Sequence, residues 1–169
     1  MKLRILLVIA VCAVLSVVES VIPFLLHLRA ARPDLLLIVV LYLALHDDVV
    51  QGAALSAVAG YFSDLTSATP PFLYTFLAVL TFVVLRVLGS ALKTEGGVQS
   101  ALVAFGASLV HSLTAAAVFG FFTGSGFHFE LSQLVWSAFG TAMAAPLVFS
   151  VLRRMDLGFL SATEMRGLR

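Results

Sequence analysis

Glu19, Asp64 and His111 stand inside stretches that are otherwise almost wholly apolar. Ionisable groups so placed are costly in lipid and mark functional candidates. Counting the helical rise of 1.5 Å per residue from the ends assigned below to the inner side, Glu19 lies about 21 Å, Asp64 about 22 Å and His111 about 20 Å along their helices. The three share one level, in the outer half of a bilayer. There a carboxylate beside a histidine can pair with it or share a proton. Alternatively, each lies near the outer headgroups or satisfies a backbone carbonyl. Arg86 falls about 21 Å down its helix from the outer side, where a long side chain snorkels to the inner headgroups in preference to pairing with Glu19. Asp34 directly follows Pro33, and an acid there suits a helix N-terminus.

No catalytic constellation accompanies these groups. The chain has no His-Glu-x-x-His, no Gly-x-Ser-x-Gly and no phosphate loop of the Walker type. His27, His46, His111 and His128 lie on different segments without metal-ligand spacing. The expectation is a protein without catalytic residues, metal or cofactor.

The elements that position these groups follow from composition. Of 169 residues, 61% are apolar and only 11% charged, against about 25% charged in soluble domains. Such a chain cannot bury its apolar side chains in one core and still cover itself with charge. The expected fold is all-α, a polytopic transmembrane bundle of about six helices. A net charge of +1 leaves no broad basic footprint for nucleic acid. Cys12, the single cysteine, lies in an apolar run and reads as filler.

Helix 1 is expected at about Ile5 to Leu26, longer than a signal-peptide core and without a cleavage site after it. The connector His27 to Pro33 ends it. Leu35 to Leu45 and Val49 to Leu65 follow, separated by His46-Asp47-Asp48. They form either two short spans or a re-entrant hairpin, since the first falls below the roughly 20 residues of a crossing. Helix 4 covers about Phe72 to Leu92, helix 5 about Val98 to Phe122, and helix 6 about Leu131 to Leu152 with a kink at Pro146. Residues 1–152 thus form the membrane domain and 153–169 a short cytoplasmic tail. Its Ser161-Ala162-Thr163-Glu164 capping box predicts a surface helix.

Orientation comes from the basic residues. With both termini inside, Lys2, Arg4, Arg86, Lys93, Arg153, Arg154, Arg166 and Arg169 are inner and only Arg29 and Arg32 outer. That excess puts the termini in the cytoplasm. Loops 27–33, 66–71 and 123–130 then lie outside, too short for an extramembrane domain. Helix 3 carries Gly52, Ser56 and Gly60 among alanines, a stripe that lets another helix approach closely. The partner across that seam is either a helix of this chain or a second protein.

The stretch Arg32-Pro33-Asp34, continuing apolar to Leu45, resembles the Pro-Asp-apolar segment of the bacterial rod shape-determining family MreD. So do Gln51-Gly52-Ala53 and Gly60-Tyr61-Phe62-Ser63-Asp64-Leu65, with a glycine four residues before an aspartate. The resemblance covers roughly residues 32–90. Pro70-Pro71-Phe72 departs from it, standing where the family more usually has Pro-Leu-Gly. The resemblance implies a noncatalytic scaffold subunit of the elongasome, in the bacterial inner membrane, that supports lateral peptidoglycan synthesis. It implies MreC as direct partner, with MreB, RodA and a penicillin-binding transpeptidase in the same complex. Pro33, Asp34, Gly52, Gly60 and Asp64 are then the candidate structural or partner-binding positions, and Glu19, Arg86 and His111 the intramembrane polar ones. The implied fold is like the S components of energy-coupling-factor transporters. The rival function is accordingly a substrate-binding vitamin-transporter subunit, for which Asp64, Tyr74, His128 and Glu130 are the few outer polar candidates.

Overall fold

The computed structural model describes residues 2–25, 33–67, 71–89, 97–123 and 131–167. They form six helices and no strand: α1 (Lys2–Leu25), α2 (Leu35–His46), α3 (Val49–Thr66), α4 (Leu73–Leu88), α5 (Gly97–Thr123) and α6 (Leu131–Gly167). Three, α1, α5 and α6, are long and apolar enough to cross a membrane. The connector around Arg29 and Arg32, the turn at Lys93, and His128 with Glu130 lie outside the described residues.

The centre of the bundle is α2. Its sequence, Leu35 to Ala44, is apolar without interruption, so the helix has no polar face to show. Helices apolar all round are buried. Here all ten of those residues are buried, packed on by each of the other five helices. Twelve residues span only about 18 Å, well short of the roughly 30 Å hydrocarbon core. The α2–α3 pair is therefore a helical hairpin turning at Asp47 and Asp48, with a first arm too short to be a full span.

The surrounding helices invert the soluble pattern. Their inner faces carry mostly small or polar residues at three- or four-residue spacing: Val8, Cys12 and Ser16 on α1; Ser100, Ala104 and Ser108 on α5; Ala138, Thr141 and Ala145 on α6. Their outer faces carry large apolar residues such as Leu6, Val14, Val110, Trp136 and Leu147. Small inner residues let backbones approach closely, which is how helices associate in lipid. On α3, Gly52, Ser56 and Gly60 are buried against α4. A Cβ at Gly60 would stand 2.6 Å from both the Thr75 Cα and the Tyr74 oxygen. At Gly52 it would stand 2.5 Å from the Phe82 ring. The small-residue stripe of helix 3 is thus the α3–α4 seam within this chain.

The start of α1 and the later half of α6 lie at one end of α2. Arg4 reaches Asp47 there, and the Phe149 ring meets those of Tyr42 and His46 edge-on. Two expected boundaries differ. α4 ends at Leu88, before the expected Leu92. Helix 6 does not stop at Leu152 but runs through Pro146 to Gly167. The tail continues that helix, because 153–167 contains good helix formers and no second proline.

Candidate functional site at the starts of two helices

A buried helix must find partners for the backbone N–H groups of its first turn, which have none within the helix. In hydrocarbon no water is there to help. At α2 the neighbours supply the whole set. The Asp34 N–H donates to Thr141 Oγ1 on α6 at 2.9 Å. The Leu35 and Leu36 N–H groups face the Glu19 carboxylate on α1, whose Oε2 is buried without a hydrogen-bond partner. The Leu37 N–H donates to Asp34 Oδ1 at 2.8 Å, an ordinary N-cap. Pro33, just outside the helix, fixes the approach of the chain and rests near Gly140 of α6.

The start of α4 is built differently. Its N-cap position is Phe72, which has no capping side chain and takes the left-handed conformation, φ 66°. The capping group comes from α3 instead. Asp64 Oδ1 accepts from the Tyr74 N–H at 2.8 Å, and Oδ2 accepts from the Thr75 N–H at 3.0 Å and the Thr75 hydroxyl at 2.6 Å. Gly60, one turn earlier on α3, brings the two backbones close enough for this reach.

These two helix starts lie together. Tyr74 is within electrostatic range of Asp34, Glu19 and Asp64. Its ring stacks on His111 of α5, with centroids 6.1 Å apart. His111 is buried, with Nδ1 at 3.2 Å from Thr81 Oγ1 on α4 and Nε2 at 3.8 Å from Asp34 Oδ2. The five other helices and the cap of α2 therefore each bring a polar side chain to this neighbourhood: Glu19, Asp34, Asp64, Tyr74, His111 and Thr141, with Thr81 two turns further along α4. Among the described residues, no group of three or more His, Cys, Asp or Glu side chains is arranged to hold a metal ion. Chemically, the dominant work of the carboxylates is to accept backbone N–H bonds.

The opposite end of α2 carries the cations. Arg86 donates from a guanidinium nitrogen to the Ala44 carbonyl at 3.1 Å, and Arg4 pairs with buried Asp47 at 2.6 Å. Positive charge at a helix C-terminus and negative charge at its N-terminus both oppose the helix dipole favourably. Arg86 is exposed at that end, with Glu19 at the other, so the two do not pair.

The family model for rod shape-determining protein MreD matches residues 1–155. The chain belongs to the MreD family. No curated protein and no solved structure matches it. Membership makes it a rod shape-determining membrane protein. At the turn before α4, Phe72 holds a left-handed conformation that costs an L residue about 1–2 kcal/mol.

Sequence reasoning missed Thr141 and Thr81 of this MreD site and, at the opposite end of α2, the pairing of Arg4 with Asp47. Thr141 and Thr81 are hydroxyls in apolar helices; Arg4 and Asp47 are base and acid far apart in sequence. The signal for Thr141 was present in the helical spacing of Ala138, Thr141 and Ala145, three and then four residues apart. For Arg4–Asp47 no sequence signal pairs the two. Arg29 and Arg32, the partners first considered for Asp64, lie outside the described residues. Its described partners are the backbone and hydroxyl of α4.

Proposed function

We propose that this chain is a noncatalytic, multi-pass scaffold subunit of the elongasome in the bacterial inner membrane. Both termini face the cytoplasm, and the chain binds MreC directly, in a complex with MreB, RodA and a penicillin-binding transpeptidase. The observation that carries this reading is the match of the MreD family model across residues 1–155. The geometry adds support. Glu19, Asp34, Asp64, Asp47 and Arg86 are engaged in holding helix ends, the use a scaffold makes of charge. The positive-inside count supports the orientation.

The test is isolation of the full chain from its native membrane in mild detergent, followed by mass spectrometry of what accompanies it. MreC in stoichiometric amount is the expected result. An energy-coupling transmembrane subunit with its ATPases would replace the scaffold reading with the vitamin-transporter one. Reporter fusions at Arg169 and within 123–130 should report opposite compartments, and a periplasmic C-terminus would overturn the orientation. Gly60→Leu should now lower the amount of folded chain itself. If it instead leaves the fold intact and releases MreC, the seam has an outside partner after all.

A further inference from the structure

At the end of α2 that carries the cations, the bundle leaves both donors and acceptors unspent. α3 and α4 run antiparallel, with Gly60 against Thr75 and Gly52 against Phe82. Continued by one turn, that register sets Asp48 and Val49 opposite Arg86. Arg86 is exposed, and among the described residues its guanidinium has one partner, the Ala44 carbonyl. The N–H groups of Val49, Val50 and Gln51 open α3 without intrahelical partners, and the Asp48 side chain does not cap them. The acceptors are as incomplete. The exposed Asp48 carboxylate has no partner among the described residues. The Asp47 side chain is only 4% exposed, and its Oδ1 meets Arg4 while its Oδ2 has no partner. Asp47 lies against the first turn of α3, since a Cβ added at Gly52 would stand 3.4 Å from its own.

The unspent groups carry both signs, so a ligand of a single sign would meet repulsion from one half of them. Beside Arg86 on the surface of α4 stands exposed Val83, with Val87 and, at the start of α3, Val50 also exposed. In a membrane protein such a surface faces acyl chains. A phosphate, a primary ammonium and acyl chains are joined in one molecule in a phosphoethanolamine lipid.

We propose that Arg86 and the α2–α3 turn form a binding site for the headgroup of a phosphatidylethanolamine lipid. The phosphate takes the remaining guanidinium N–H groups of Arg86 in charge-assisted hydrogen bonds. It also faces the open N–H groups of α3, where the helix dipole favours an anion. The ammonium, with three donors, pairs with Asp48 beside the unsatisfied Asp47. The acyl chains run along Val83 and Val87. The other described cations of this end serve elsewhere: Arg4 is held by Asp47, and Arg153 and Arg154 belong to α6, which packs on α2 and α5. Headgroups line both surfaces of a bilayer, so the site is the same for either orientation of the bundle.

The experiment is native mass spectrometry of the full chain in mild detergent, after incubation with an equimolar mixture of phosphatidylethanolamine, phosphatidylcholine and phosphatidylglycerol. Phosphatidylcholine keeps the phosphate, but its quaternary ammonium donates no N–H bond; phosphatidylglycerol has no cation. Phosphatidylethanolamine should be retained over both by about fivefold, the worth of one charge contact near a membrane surface. In Asp48→Asn, a change at an exposed side chain, the preference over phosphatidylcholine should vanish. Arg86→Gln should lower retention of all three lipids, and Arg86→Lys, which keeps the charge, should restore it. Free glycerophosphoethanolamine at equal concentration should displace nothing. Equal retention of the three lipids by the unmodified chain overturns the proposal, and so does a phosphatidylethanolamine preference that survives Asp48→Asn. Displacement by glycerophosphoethanolamine would make the ligand a soluble one and overturn the assignment to lipid.

Discussion

The starts of α2 and α4 meet the same demand by opposite means. Both leave first-turn N–H groups unpaired within the helix, and both receive a carboxylate from the preceding long helix, Glu19 for α2 and Asp64 for α4. At α2, deep in the bundle, one acid is not enough, and α2's own Asp34 and Thr141 from α6 complete the set. At α4, next to exposed Pro71 and Phe72, Asp64 works without a local cap, and the turn tolerates a residue at positive φ. The difference teaches that burial, more than helix propensity, decides how completely a helix terminus must be satisfied.

That contrast can be broken most sharply at Glu19. Glu19→Ala leaves the Leu35 and Leu36 N–H groups, on residues 5% and 2% exposed, without acceptors. The expected loss is about 3–4 kcal/mol, from two buried unsatisfied donors. Cys12, fully buried and the single thiol, reports it directly, because a thiol-reactive dye should label it at much lower temperature. Glu19→Gln keeps an acceptor oxygen and should lose less than half as much. Equal losses in the two variants would mean that charge, and not hydrogen bonding, is what α2 requires.

Asp64→Ala comes next. It removes three hydrogen bonds, yet the half-buried start of α4 can recruit water, so about 2 kcal/mol is expected. Cys12 labelling again measures it, and a loss above that of Glu19→Ala would reverse the burial argument. Thr141→Val should cost about 1 kcal/mol, since it orphans only the Asp34 N–H. Its signature is a lower labelling temperature without change in the α3–α4 seam. The smallest effect has the opposite sign. Phe72→Gly relieves the left-handed strain at a site whose side chain is exposed, and should raise the labelling midpoint by an amount equivalent to about 1 kcal/mol. A fall instead would show that the exposed ring anchors the turn at the membrane interface.

Much of the fold was legible because its signals are local. The apolar runs and the polar breaks at His46-Asp47-Asp48 and after Thr66 placed α1 to α5 to within a few residues, except at the end of α4. Rise-per-residue arithmetic placed Glu19, Asp64 and His111 at one level, since a straight helix converts residue number directly into height. The end of α6 was misplaced because Arg153 and Arg154 mark where a membrane ends, and a helix need not end there. The same limit applies to Gly60, whose small size announces a close approach but cannot name the neighbour.

By itself, then, the sequence determined that this chain lives in lipid, that it is helical, and where along each helix its ionisable groups fall, all of which depend on composition and on distances along one chain. Only the tertiary structure decided that α2 is the buried centre, that Glu19 and Asp64 cap the starts of their neighbours, that Gly52 and Gly60 belong to the α3–α4 seam, and that Arg4 meets Asp47. Those are pairings between helices, and they depend on how each helix is rotated about its axis. Rotation is settled by the mutual fit of small inner faces and by the need to satisfy every buried backbone N–H. No single segment contains that information.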